Sequence, residues 1–254
     1  EIIEPLGVKG AAWASVIAQI IMILLCIIVL LKKTPFRLKL SFQPNSHFKE
    51  MMNIFFNMFL RTMVLNVVFI ISNRFANGYG SNELAAYTIG YNIWIFTSFF
   101  IDGYSNAGNA LAGKYLGEKN NEKLEYLGKK LLRTNIQISL ILVIIYFMCY
   151  PFMGKIFNSN LEVIKLFEAT FWIVIIAQPF NAIAFTFDGI FKGLGRAVDL
   201  RNTLTVASFL VFIPAIYMLN YFFSNLICIW IALTFWMIYR GGSLYVKFKK
   251  IVNH

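Results

Sequence analysis

Residues 10–31, "GAAWASVIAQIIMILLCIIVLL", run for 22 positions without a charged side chain. A helix needs about 20 mostly apolar residues to cross the hydrocarbon core of a bilayer. Comparable runs lie near 51–72, 83–113, 133–152, 162–191, 202–221 and 224–246. None alternates with the period of two that a barrel strand requires. In lipid, such runs satisfy their backbone polar groups as helices. The chain therefore reads as all-α, a polytopic integral membrane bundle of seven transmembrane helices.

Composition supports this and removes other classes. Only 14% of the 254 residues are charged, 59% are hydrophobic and the mean hydropathy is +0.67; soluble domains carry about 25% charged residues. The net charge of +11 does not point to nucleic acid, because the bases cluster between apolar runs and the aromatics lie inside them. Cys26, Cys149 and Cys228 sit in separate runs without metal spacing, and His47 and His254 are the only histidines. A His-based metal centre or triad has almost nothing to be built from, so no metal, no cofactor and no enzyme activity are expected. The chain starts at Glu1 and lacks the basic leader of a signal peptide. It is expected to be a piece of a longer protein.

The distribution of bases tests the number of spans. With alternating directions, residues 32–50, 114–133, 192–201 and 240–254 fall on one side and hold 18 Lys or Arg. The other side holds 4, namely Lys9, Arg74, Lys155 and Lys165, and Arg61 remains within a span. That asymmetry predicts a cytoplasmic carboxyl terminus and places residues 1–9 outside. In "GEKNNEKLEYLGKKLLR" (117–133), Leu124, Leu127, Leu131 and Leu132 recur at helical spacing and Glu125 precedes Lys129 by four. The pattern predicts a short amphipathic helix on the inner membrane surface.

Polar residues within spans are costly and normally face protein or water. At 100° per residue, Ser98, Ser105, Asn106 and Asn109 lie within about 60° of Asp102. Asp102 falls near mid-membrane, roughly 17 Å from the inner end of its helix at 1.5 Å per residue. It is either paired, with Arg61 the candidate, or protonated and linked to ion movement. Gln178, Asn181 and Asp188 share a face of the fifth span, where Pro179 predicts a kink. Asn53, Asn57 and Arg61 follow at i, i+4, i+8 in the second. Asp188 precedes Lys192 by four, in the favourable acid-first order, so a local ion pair at the cytoplasmic mouth competes with a transport role. Gly103, Ala107, Gly108, Ala110 and Ala112 predict close helix packing. "GLG" at 193–195 reads as a short turn, since no strand precedes it.

Three segments, "GVKGAAWASVIAQ" (7–19), "FIDGYSNAGNALAGKYLGEKN" (100–120) and "QPFNAIAFTFDGIFKGLGRAVDLRN" (178–202), resemble the multidrug and toxic compound extrusion (MATE) transporters. The two Asp-Gly motifs and "FLRT" (59–62) are most similar to the DinF-like branch, and the resemblance covers essentially the whole chain. It implies twelve helices in two six-helix lobes that exchange a bulky, often cationic or amphipathic compound for inward H+ or Na+. Residues 1–31 would then end the first lobe, 32–50 would be a cytoplasmic inter-lobe linker, and 51–254 would form the carboxyl-terminal lobe. The partners implied are the missing amino-terminal lobe, a small organic substrate and the lipid bilayer, in a multi-pass protein of the bacterial cytoplasmic membrane.

The expected ion and substrate pathway is Asp102, Asn106, Asn109, Asn57, Arg61, Gln178 and Asn181. In Na+-coupled relatives a tenth-helix carboxylate helps bind the cation. Here Asn181 stands nearer that position and Asp188 lies about two turns away, so Asp188 does not inherit the role. In the DinF-like branch the proton site is assigned to a first-helix Asp, which would lie upstream of Glu1. A lipid-linked oligosaccharide flippase is the alternative, but it implies a strongly cationic cavity and Arg61 is the only mid-span base in this reading. A seven-helix receptor or light-driven pump is less favoured, since the last span has no internal Lys for a retinal Schiff base. A membrane-embedded enzyme stands last.

Overall fold

The computed structural model describes residues 7–33 and 48–253. Most of the expected 32–50 linker lies outside them. Packing separates two units, Glu1–Phe48 and Lys49–His254. The first holds one helix, α1 (Gly7–Lys33), whose uncharged stretch is long enough to span a bilayer.

The second unit is a bundle of long antiparallel-connected rods. They are α2 (Phe48–Tyr79), α3 (Ser81–Gly117), α4 (Asn121–Phe157), α5 (Leu161–Gly193), a composite rod of α6 (Ala197–Val206) and α7 (Ile213–Phe223), and α8 (Leu226–Val252). Counted with α1, seven rods among the described residues are long and apolar enough to cross a membrane, and no strand occurs among them. The expected all-α architecture with seven spans is what forms, one in the first unit and six in the second.

Connections are short because each is closed by local chemistry. Asn120, Asn160 and Asn225 cap α4, α5 and α8, their side-chain oxygens accepting from the backbone N–H of Lys123, Glu162 and Ile227. The "GLG" turn ends α5, and Gly195 adopts a φ of 67°, which a residue with a Cβ rarely accepts.

Helix α5 is the central rod and packs on α3, α4 and α8. In their most apolar stretches 56% of α5 and of α8 is buried, against 11% of α2, which is peripheral within this unit. One core gathers Tyr87, Trp94, Phe171, Trp230 and Trp236; a second, near the α5 end, gathers Leu124, Leu131, Phe187, Phe191 and Phe248. Phe69 lies edge-on to the rings of Tyr91, Trp94 and Trp236, a favoured aromatic arrangement.

Two local expectations change. The amphipathic stretch 117–133 is not a separate surface helix. From Asn121 it is continuous with the fourth span, making α4 37 residues long. Its leucines bury against α5 and α8 side chains rather than lipid headgroups, so the amphipathic stripe served a protein neighbour. The sixth span is interrupted by a π-helical turn at Ala207–Phe212. Pro214, just beyond it, cannot donate to the Leu210 carbonyl, and a widened ladder accommodates the lost bond. Trp236 Nε1 donates to Ser208 Oγ in that turn at 3.1 Å. Helix α5 continues through Pro179.

Candidate functional site

Close backbone approaches bring the polar residues together. A Cβ on Gly189 would lie 2.7 Å from the Ser105 carbonyl oxygen, and one on Gly193 would collide with the Asn109 carbonyl. A Cβ on Gly241 would lie 3.1 Å from the Ala184 backbone nitrogen. Glycines therefore set α3 and α8 tightly against α5. Small residues letting helix backbones meet is a common device in membrane bundles.

On this frame α5 presents Asp188, α8 presents Arg240 and α2 presents Arg61. Asp188 is 3% exposed and Arg240 2%. Arg61 Nη2 donates to Asp188 Oδ2 at 2.7 Å, and Arg240 Nη2 donates to the same oxygen. The Arg240 guanidinium also lies over the Trp236 ring, 4.7 Å from its centroid, a cation–π contact. Its Nη1 is 3.3 Å from Met237 Sδ. Arg61 Nε is buried without a hydrogen-bond partner among the described residues. Charges buried this deeply cost several kcal/mol each to desolvate, so such groups persist only in networks of this kind.

This geometry corrects the sequence reading at three points. Asp188 does not form a simple local pair with Lys192 at a helix mouth, because its hydrogen-bonded partners come from two other helices. Arg61 pairs with Asp188, not with Asp102. Arg240, counted above among cytoplasmic bases, is instead a buried member of the triad. Lys192 Nζ lies 4.0 Å from Asp102 Oδ1, at the outer limit of an ion pair, with the two side chains 25% and 34% exposed.

The other expected residues distribute unevenly. Asn57 is buried; its Nδ2 donates to the Asn53 carbonyl at 2.6 Å, and its Oδ1 accepts from Arg201 Nη1 at 2.5 Å. Gln178 and Asn181 are buried and bonded to each other at 3.3 Å. Asn109 is half-buried and Asn106 exposed. Asp102, Asn106 and Asn109 do not join the triad through any described hydrogen bond. The sequence reading passed over a buried amide node in which Asn135 Nδ2 donates to Ser105 Oγ at 2.9 Å and to Thr186 Oγ1 at 2.7 Å. Asn135 stands just inside the fourth span, and its position within an apolar run was the available signal.

No group of three or more His, Cys, Asp or Glu among the described residues could hold a metal ion. What the site offers is charge, hydrogen bonding and a seam between three helices. The fold and this buried network define a polytopic helical membrane protein whose apolar interior holds an Arg–Asp–Arg cluster.

The MatE family profile matches residues 58–218, and the chain belongs to that family. It is 28% identical over 239 residues to Protein DETOXIFICATION 42 of Arabidopsis thaliana, covering 93% of this chain and 45% of that protein. It is 23% identical over 245 residues to the DNA damage-inducible protein F of Escherichia coli (strain K12), covering 94% of this chain and 52% of that protein. Among solved structures, an outward-facing multidrug resistance MATE family transporter of the MOP superfamily superposes with a TM-score of 0.86 at 17% identity. That match covers 98% of this chain and 57% of the other. The chain spans about half the length of the curated relatives it matches.

Proposed function

We propose that the chain contributes the carboxyl-terminal lobe, residues 51–254, and the preceding helix of an antiporter that exports organic compounds, with inward H+ or Na+ driving the exchange. The missing amino-terminal lobe completes the central cavity, and residues 32–50 link the two across the cytoplasmic side, where the carboxyl terminus also lies. The observation that carries this reading is the match of the MatE family profile over 58–218. The presence of DNA damage-inducible protein F among the relatives supports a DinF-like branch and a bacterial cytoplasmic membrane.

Alternating access is the mechanism this architecture favours, with two lobes rocking about a shared site. Coupling requires that ion and compound prefer different lobe arrangements, since a ligand of equal affinity for both shifts nothing. One elementary charge moving through 100 mV supplies about 2.3 kcal/mol, enough for a tens-fold bias. Asp102 is a half-buried acid on the pathway, with Lys192 beside it. Asn57, Arg61, Asn106, Asn109, Gln178 and Asn181 line or support that route.

The test is export by the full-length protein reconstituted in vesicles with an imposed H+ or Na+ gradient. Compound should leave only while a gradient is present, and one of the two ions should suffice. Movement that ignores both gradients rejects the antiporter.

A further inference from the structure

Two guanidinium groups share one carboxylate oxygen at Asp188, so the triad carries one positive charge more than it can cancel. Lys192 and Asp102 beside it add a balanced pair and leave the surplus in place. Arg201 adds to it. Its Nη1 donates to Asn57 Oδ1 at 2.5 Å and its Nε to Asn202 Oδ1 at 3.0 Å, and among the described residues no carboxylate pairs with it. Asn57 precedes Arg61 by four residues on α2, one helical turn. Arg201, Arg61 and Arg240 thus form a short series of fixed cations leading inward.

The triad is sealed at Arg240 and slightly accessible at Arg61. Arg240 is buried against Trp236, whereas the Arg61 side chain keeps 12% of its surface accessible and its buried Nε donates to nothing described. Uncompensated buried charge is strongly unfavourable until a counter-ion arrives. A cationic compound entering here would meet like charge in a low dielectric, which is how a site rejects a wrong partner.

Resting on the transporter reading above, we infer that this site takes an anion: the compound handled by this lobe bears a carboxylate, sulfonate or phosphate group that binds at Arg61. The planar guanidinium presents paired donors matched to such oxyanions. Arg201 supplies an entry position and Arg240, by holding Asp188, keeps the acid from neutralising Arg61 alone.

The experiment uses two dyes of the same xanthene skeleton and opposite charge, fluorescein and rhodamine 6G, with the purified full-length protein. Binding is read by fluorescence polarisation and export by vesicle assay. Saturable binding of fluorescein, weaker for rhodamine 6G, is expected. Arg61→Gln should weaken fluorescein binding about ten- to hundredfold, as loss of a hydrogen bond to a charged group does. Arg61→Lys should restore part of it, and Arg201→Gln, at a partly exposed position, should weaken it without loss of folded protein. No saturable fluorescein binding to folded protein, or tighter binding of rhodamine 6G, overturns the inference. If rhodamine 6G is then exported under a gradient, the transporter reading survives without it; if neither dye is bound or moved, both readings fall.

Discussion

Arg61 and Arg240 donate to the same oxygen of Asp188 from α2 and α8, the first and last helices of the second unit. That shared oxygen ties α2 and α8 to the central rod α5. It is a buried charged cross-link in this unit, beside neutral ones such as the Asn135 node, and it makes the stability of the bundle depend on charge balance.

Removing the acid should therefore cost more than removing a base. Asp188→Asn leaves two buried cations without their counter-ion, and a broken buried pair typically costs about 3–5 kcal/mol. Arg240→Met leaves a balanced Arg61–Asp188 pair and fills much of the same volume. Its expected cost is about 1–3 kcal/mol, the range for lost hydrogen bonds to a charged group. Thermal unfolding of the detergent-purified full-length protein orders the two variants; equal melting temperatures would contradict the charge argument.

Asp102 should behave in the opposite way. It is a third exposed and 4.0 Å from Lys192, so Asp102→Asn should change stability by less than about 1 kcal/mol, as for exposed ion pairs. If the residue belongs to the transport pathway, the same variant should alter drug resistance in cells at unchanged expression. Wild-type resistance at wild-type protein levels removes Asp102 from the pathway.

The seven rods were legible because membrane spanning imposes a length and a composition that a single sequence displays. The triad was legible only in part. Asp188 and Arg61 stood out as charges in or beside apolar runs, but the i,i+4 rule can nominate only local partners, and Lys192 was the local one. Arg240 was hidden because it lies just before "GGSLYVKFKK", where a charge count assigns every base to the cytoplasmic surface. In the structure α8 continues to Val252, which carries Arg240 into the interior. The α4 amphipathicity was read correctly as helical, yet its partner was misassigned, since a leucine stripe looks the same whether it meets lipid or protein.

The helix seam offers a steric contrast. A methyl at Gly193 would strike the Asn109 carbonyl, a backbone atom that cannot rotate away, whereas nothing lies within 4 Å of a methyl at Gly103. Gly193→Ala should destabilise by about 1–3 kcal/mol through overpacking. Gly103→Ala should be neutral or stabilising by up to about 1 kcal/mol, because Gly lowers helix stability relative to Ala. Melting curves of the two variants decide, and a Gly193→Ala protein as stable as wild type would mean that α3 and α5 are less closely packed.

The leucines of α4 provide a test of how that helix sits. Leu124, Leu127 and Leu131 are 1%, 6% and 4% exposed and pack with Phe187, Phe191 and Phe248 across α5 and α8. Leu132, next in sequence, is only partly buried at the edge of the same cluster. In a continuous rod, Leu127→Ala opens a cavity in protein and should cost about 2–5 kcal/mol. Leu132→Ala should cost clearly less, because less of its surface leaves water or lipid on folding. On a free interfacial helix both leucines would insert into the bilayer boundary, and both alanines would leave the melting temperature of the bundle unchanged while reducing membrane adhesion of the isolated segment. Paired melting measurements on the full-length protein separate these arrangements, with the continuous rod requiring that Leu127→Ala be the more damaging substitution.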